Sequence, residues 1–307
     1  MHHYLPVSYL KRFADQHGFL HVLDFHEQRR FKTKPQNVAK IRDYYTAETA
    51  ERTDDVGVER MLSVFESNAE PVFDRIIREN RIPLESEAWD HACAFIALLD
   101  QRLPIAREAY KQSADWMMNL IDERCISANV HQNSYIQMML ETSKRLAPLI
   151  GEMTPHLLVS NDAEFITGDC PLAKRDRQPS DFYGLGWAVA TIEVGLPIGR
   201  HHCIVLTWDP APRVLRADRD AVANVNCQIA QWAMRYVLGP RDNFVWMDRD
   251  ESVKSGARLL FQKMSAPKVN RKLIQTWPPG PKRAARGANP IAGGKSAKPR
   301  GRRRRKK

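Results

Sequence analysis

Apolar residues recur at three- and four-residue steps from Val56 onward, which is the spacing of a helix buried along one side. Pro71 falls inside this stripe, so we expect a kink or a break near Glu70. Three further helices are predicted at residues 84–103, 104–125 and 131–150, which makes residues 56–150 a central helical bundle. The stripe of the first helix consists of Met61, Leu62, Phe65, Ala69, Val72, Phe73 and Ile76.

The first 50 residues contain shorter elements. A short helical pattern covers residues 7–13. The apolar stretch FLHVLDF and the later RFKTKP flank a charged HEQRR segment, and this arrangement predicts a β-hairpin. A brief helix is predicted from Asn37 to Ile41.

Beyond Gly151 the apolar residues form short runs broken by Gly, Pro, Asn and Asp, which predicts antiparallel strands. A last long helix is predicted from Asp218 to Leu238, ended by Gly239 and Pro240. The predicted class is therefore α+β: an N-terminal hairpin, a central helical bundle, and C-terminal antiparallel strands plus a long helix. We expect one folded domain over residues 1–279, in which a mixed α/β part, 151–265, packs with 1–50.

The formal charge of +11 belongs to one end of the chain. Residues 280–307 carry twelve Lys or Arg and no acid, so subtraction leaves −1 for residues 1–279. A high overall charge therefore does not make the predicted domain a nucleic-acid platform. The segment after Trp277 has almost no apolar residue to bury, so we predict that 280–307 is a disordered basic tail.

The remaining composition is that of a protein of the cell interior. No apolar run approaches the roughly 18 to 20 residues of a membrane span, and the N-terminus lacks the pattern of a secretory signal. We therefore expect a cytoplasmic protein with no membrane partner. Five scattered cysteines without a C-x-x-C pair argue against zinc and disulfides and favour reduced thiols, namely Cys93, Cys125, Cys170, Cys203 and Cys227.

The sequence lacks the motifs of the common nucleotide-binding, nucleophilic and zinc-dependent classes, so it leaves cofactor and metal use undetermined. Three polar residues are nevertheless candidates. Asn226 lies on the apolar stripe of the last helix and is either a clamp onto neighbouring backbone or a substrate contact. Asp169 ends a predicted strand and is either a catalytic carboxylate or an Asx-turn residue. His3 is either an exposed terminal side chain or, in a docked segment, a ligand or acid/base group.

The stretch H-Y-L-P-V-S-Y-L-K-R-F, residues 3–13, resembles the H-x-x-P-x-x-Y-L-x-x-F opening of the domain-of-unknown-function family 4238. The likeness continues at F-K-T-K-P-Q-N-V-A, R-D-Y-Y-T, F-I-T-G-D-C-P and L-P-I-G-R-H-H, and from Asn226 to Tyr236. The family usually has Ser-Asp-Asn where this chain has Gly168-Asp169-Cys170. The resemblance implies a docked N-terminal segment and a shared site at the matching positions His3, Asn37, Asp169, Asn226 and Arg235.

Two functions follow as hypotheses. In the first, the protein binds nucleic acid or another polyanion through the tail residues Arg300, Arg302, Arg303, Arg304, Arg305, Lys306 and Lys307. The alternative is a hydrolase or a metal-dependent phosphodiesterase or nuclease. In it His3 and Asp169 are catalytic together with Glu59 or Glu66, while Asn37, Asn226 and Arg235 bind the substrate.

Overall fold

The computed structural model describes residues 1–48, 53–54, 57–82, 85–121, 128–178, 185–210, 213–258 and 260. The predicted tail, 280–307, lies outside the described residues, as does 261–279 of the predicted domain. The described chain contains a 3-10 helix at Pro35–Asn37 and α-helices at Val7–Lys11 (α1), Gly57–Glu79 (α2), Ser86–Arg102 (α3), Pro104–Ile121 (α4), Ala128–Glu152 (α5) and Arg219–Trp232 (α6).

The described strands lie in the chain before or after the uninterrupted run of helices α2 to α5. This segregation confirms the predicted α+β class. The strands are His2–His3 (β1), Leu20–Asp24 (β2), Arg29–Thr33 (β3), Lys40–Ile41 (β4), Ala47–Glu48 (β5), Thr53–Asp54 (β6), Thr154–Val159 (β7), Thr167–Gly168 (β8), Ala173–Asp176 (β9), Ile192–Gly199 (β10), His202–Thr207 (β11), Arg213–Arg216 (β12), Tyr236–Gly239 (β13), Val245–Met247 (β14) and Val253–Ser255 (β15).

The helical part is organised around α3, which packs against both α2 and α5. Apolar residues occupy most sides of α3, because the helix buries one face against α2 and another against α5. The break predicted near Glu70 is wrong, since α2 runs unbroken through Pro71. Pro71 faces solvent, whereas the next two residues, Val72 and Phe73, are buried, and Phe73 meets Phe95 of α3 edge-on at 5.3 Å. Packing on α3 therefore holds the helix together across the proline.

The larger sheet has five strands in the order β12-β7-β11-β10-β9. Its neighbours are antiparallel except for β12, which runs parallel to β7. The predicted antiparallel strands after Gly151 are therefore confirmed, with one parallel edge strand added. The inner residues of β10 and β11 join the main core with the helices α2, α3 and α5 and the N-terminal segment.

The second sheet joins the two ends of the described chain. Its order is β3-β2-β13-β8, so the predicted N-terminal hairpin, β2 and β3, pairs with β13 near the C-terminal end. The last helix was predicted too long, because α6 ends at Trp232 and residues 236–239 form β13. The helix predicted from Asn37 to Ile41 is also wrong: Lys40–Ile41 is a strand that pairs with β1.

No described helix combines the length and the apolar character that a membrane crossing needs.

Candidate functional site

The N-terminal segment is docked into the protein from its second residue. Strand β1 pairs antiparallel with β4, and the Tyr4 N–H donates to the Ala39 carbonyl at 3.1 Å. Leu5 and Leu10 that follow are fully buried. His3 therefore has a fixed position on the body, as the resemblance implied.

The imidazole of His3 is held in one tautomer. Its Nε2 lies 3.1 Å from the carbonyl oxygen of Gln36. A carbonyl can only accept, so Nε2 carries the proton and Nδ1 carries a lone pair. Burial is the largest influence and lowers the pKa of His3 below its ordinary value of 6.5, and Lys40 lowers it as well. The bond to the Gln36 carbonyl and the charges of Glu59 and Glu66 oppose the shift. His3 is thus a neutral base with two carboxylates in its surroundings.

Arg102, at the end of α3, fixes this region and was missed by the sequence reasoning. Its side chain is buried, and its guanidinium donates to Glu66 Oε1 at 2.6 Å, to the His3 carbonyl at 2.7 Å and to the Tyr45 hydroxyl at 3.2 Å. The available signal was its spacing, because Arg102 follows Leu98 and Leu99 by four and three residues and so shares their buried face. We call His3, Lys40, Glu59, Glu66 and Arg102 the His3 centre.

Asn37 lies at the border of the His3 centre. It ends the 3-10 helix Pro35–Asn37 and directly follows Gln36, the residue whose carbonyl holds His3. Asn37 is exposed, and Lys40, which pairs with His3 across β1 and β4, is partly exposed. Lys40 therefore lies beside His3 across the strand pair, and Asn37 follows the residue that His3 contacts.

Asp169 forms a second polar anchor. It is 2% exposed, and its two carboxylate oxygens accept the backbone N–H groups of Met234 at 2.8 Å, Arg235 at 2.7 Å and Tyr236 at 3.1 Å. Burial raises the pKa of Asp169 to about 6, and the three N–H donors oppose that shift. These bonds hold the chain in the turn between α6 and β13, so Asp169 positions the backbone that carries Arg235.

The side chain of Arg235 is committed to Asp24, at the end of β2. Its Nη2 lies 2.9 Å from Asp24 Oδ2, its Nε contacts both carboxylate oxygens, and the guanidinium stacks over the Tyr236 ring at 4.8 Å. Burial acts on the fully buried Asp24 to raise its pKa, but Arg235 and the N–H groups of Glu27 and His26 outweigh it and lower the pKa. The pair ties β2 to the start of β13.

Asn226 is a clamp onto backbone, the first of the two roles predicted for it. Its Oδ1 accepts the Ile166 N–H at 2.9 Å, and its Nδ2 donates to the carbonyls of Glu164 at 3.0 Å and Val245 at 2.8 Å. The side chain is completely buried. Asn226 therefore ties α6 to the segment before β8 and to β14, and a substrate contact by this residue stays a prediction.

The candidate residues divide into three places. His3 lies with Glu59 and Glu66, beside Asn37, whereas Asp169 lies with Arg235 at the turn into β13. Tyr4 connects these two places, because it follows His3 in the chain and the negative charge of Asp169 adds to the effect of burial in raising the pKa of Tyr4. Asn226 stands apart from both.

The described cysteines are weak nucleophiles, because burial keeps their thiols protonated. Burial raises the pKa of the Cys93 thiol to about 12, and it also raises the thiol pKa of Cys170, Cys203 and Cys227. These four cysteines are free thiols, while Cys125 lies outside the described residues. Across the described part of the chain, no three His, Cys, Asp or Glu side chains are grouped as metal ligands.

The role of Asn226 gives a stability prediction. Asn226→Ala leaves two buried carbonyls and one buried N–H without partners, at about 1 kcal/mol or more each, so we expect a loss of about 3 kcal/mol in the free energy of unfolding. Asn224→Ala is the matched control, because that partly exposed residue of the same helix accepts one bond, from Gln228. Urea unfolding measures both variants. Equal losses for the two would contradict the clamp.

The comparisons with known proteins place the chain in a family. A family model described as "Protein of unknown function (DUF4238)" matches residues 1–243, which include the His3 centre, Asp169, Asn226 and Arg235. Neither the curated proteins nor the solved structures contain a significant match. The match covers most of the 307 residues and agrees with the blocks seen in the sequence. The chain therefore belongs to the domain-of-unknown-function family 4238.

Proposed function

We propose that this protein binds nucleic acid or another polyanion through its basic tail and acts in the cytoplasm. One observation carries the proposal: twelve Lys and Arg side chains without an acid occupy residues 280–307, while residues 1–279 sum to −1. Polyanion binding through such a segment is driven by counterion release and needs no folded surface. The four free thiols support a reducing compartment.

Ion pairs within the body support the assignment of this affinity to the tail. Several arginines of the described residues are engaged by acids of the same body and so contribute little net field outside it. Four such pairs are Arg102 with Glu66, Arg235 with Asp24, Arg12 with Asp74 and Arg75 with Glu85.

The tail is tested by a full-length variant in which Arg300, Arg302 to Arg305, Lys306 and Lys307 are all changed to Gln. We call it the tail-neutral variant because it neutralises this terminal cluster, which holds seven of the twelve tail cations. Seven engaged charges give log K against log salt a slope of about −6 on duplex DNA. We expect the tail-neutral variant to lose most of this slope and most of its affinity, measured by fluorescence anisotropy with a labelled duplex.

The matched control changes the same five arginines to lysine. Because lysine keeps the charge, the salt slope should stay within about one unit of the wild-type value. Unchanged retention of DNA by the tail-neutral variant would refute the proposal.

A second candidate function, hydrolysis of a phosphodiester, is favoured by the geometry of His3. The bond from Nε2 to the Gln36 carbonyl leaves a neutral Nδ1, which can take a proton from an attacking water. Lys40 and the Asn37 amide lie where they can steady the negative charge that develops on phosphate oxygens. In this proposal Asp169 and Arg235 are positioning residues, because their polar groups are already engaged by backbone and by Asp24.

The hydrolase proposal predicts that His3→Gln lowers the cleavage rate of a labelled oligonucleotide by about 100-fold or more. The Gln amide can still donate to the Gln36 carbonyl, so the substitution removes the base and keeps the contact. His17→Gln, an exposed histidine of the α1–β2 loop, is the control and should leave the rate unchanged. The assay is run with and without EDTA to expose any need for a metal.

The pH profile gives a further prediction. The pKa of His3 lies below 6.5, so the rate should be full above that pH and fall as pH drops through the lowered pKa. Glu59→Gln removes a group that raises this pKa, so it should move the acid limb to lower pH. Lys40→Gln should move it to higher pH. Movement of both variants in the same direction, or an unchanged rate in His3→Gln, would contradict the assignment.

A further inference from the structure

A polar cleft far in the chain from the His3 centre has no part in either proposed function. Five segments enclose it: the α1–β2 loop with Gln16, the β7–β8 loop, the β10–β11 turn, the start of α6 and the loop from β13 into β14. Its volume is about 500 Å³, within the usual range for a small-molecule site. Three arginines line it, Arg200, Arg219 and Arg241, and we call it the arginine cleft.

The arginines are held in place by Glu164 and by the strand β15. The Glu164 carboxylate is 11% exposed and forms ion pairs with Arg241 at 2.5 Å and with Arg200 at 3.6 Å. Arg219, the first residue of α6, donates to the Ser255 hydroxyl at 2.8 Å. Each guanidinium has five N–H groups, so these contacts orient it and leave further donors for a ligand.

The backbone under the cleft is tied by hydrogen bonds. Asn226 holds the Glu164 carbonyl, and the Phe165 N–H donates to the Arg200 carbonyl at 2.7 Å. The ring of His201 donates from Nδ1 to the Ser160 carbonyl at 3.0 Å. The clamp by Asn226 therefore orders the carboxylate that holds two of the arginines.

The charge of the cleft is positive although the whole body is close to neutral. The acids that line it are Glu164 and Asp162, and Asp162 already contacts Arg216 on the neighbouring strand at 3.4 Å. Three lining arginines face these two carboxylates. The resulting charge of about +1 complements a phosphate monoester, whose oxygens accept the paired N–H donors of arginine.

We propose that the arginine cleft binds a phosphorylated small molecule of nucleotide size. The phosphate lies against the guanidinium groups of Arg219 and Arg241. The cleft is larger than inorganic phosphate requires, and the amides of Asn161 and Asn243 in its lining supply donors and acceptors for a sugar or base. This site is independent of the tail and of His3.

The probe is adenosine monophosphate, titrated calorimetrically into the full-length protein, with adenosine as the uncharged comparison. We expect binding of the monophosphate and none of adenosine at the same concentrations. Arg241→Gln should weaken binding by about 10- to 100-fold through the loss of charged hydrogen bonds. Arg216→Gln is the control, since it removes the same charge beside the cleft without lining it, and should change affinity less than threefold.

Arg219→Gln is a second test, used if a thermal melt shows that Arg241→Gln does not fold. We expect it to weaken the binding of adenosine monophosphate as well. The tail-neutral variant should keep its affinity for adenosine monophosphate. Equal weakening by the Arg216 and Arg241 substitutions, loss of binding in the tail-neutral variant, equal affinity for adenosine, or no binding by the wild-type protein would each overturn the proposal.

Discussion

The buried guanidinium of Arg102 is the interaction on which the N-terminal half depends. A buried charge costs several kcal/mol unless it is paired and hydrogen-bonded, so it must find all its partners when the protein folds. It finds them on three separate pieces of chain: Glu66 on α2, the His3 carbonyl on β1, and the Tyr45 hydroxyl. The fold of the helical part and the position of His3 therefore depend on the same contacts of Arg102.

Asp169 has the same role for the C-terminal half, with backbone in place of side chains. Its carboxylate takes the N–H groups of three consecutive residues, 234–236, which would otherwise bond to carbonyls of a longer helix. The helix ends, the chain turns, and β13 enters the second sheet between β2 and β8. Tyr4 lies against Asp169, so the two anchors meet at the N-terminal segment.

An element could be predicted from the sequence when the contacts that determine it lie close together along the chain, and not when they lie far apart. The long helices, the hairpin and the later strands follow from local periodicity, and their types are confirmed, whereas the brief helix predicted from Asn37 to Ile41 is wrong. The end of α6 could not be read in this way, because Ala233 and Tyr236 continue its apolar stripe and the residue that stops the helix is 65 positions earlier. The unbroken α2 depends in the same way on packing against α3. At the candidate site, the local sequence pattern predicted His3 and Asp169 as candidates and the resemblance matched them, but only the structure shows Arg102 holding the His3 carbonyl.

The proposed tail site and the proposed ligand of the arginine cleft represent two kinds of anion recognition, which differ in how the charges are distributed. In the described body many cations are neutralised by acids a few ångströms away, so a long polyanion meets little net charge there. The tail offers twelve unopposed charges without a fixed arrangement of acids, which favours affinity for any dense polyanion and gives little discrimination. The arginine cleft differs from the tail in both respects. The Glu164 carboxylate weakens the attraction of the cleft for an anion, but its ion pairs fix the directions of two guanidinium groups. Oriented donors discriminate by geometry, so in these proposals the body supplies the selectivity among anions and the tail supplies most of the affinity.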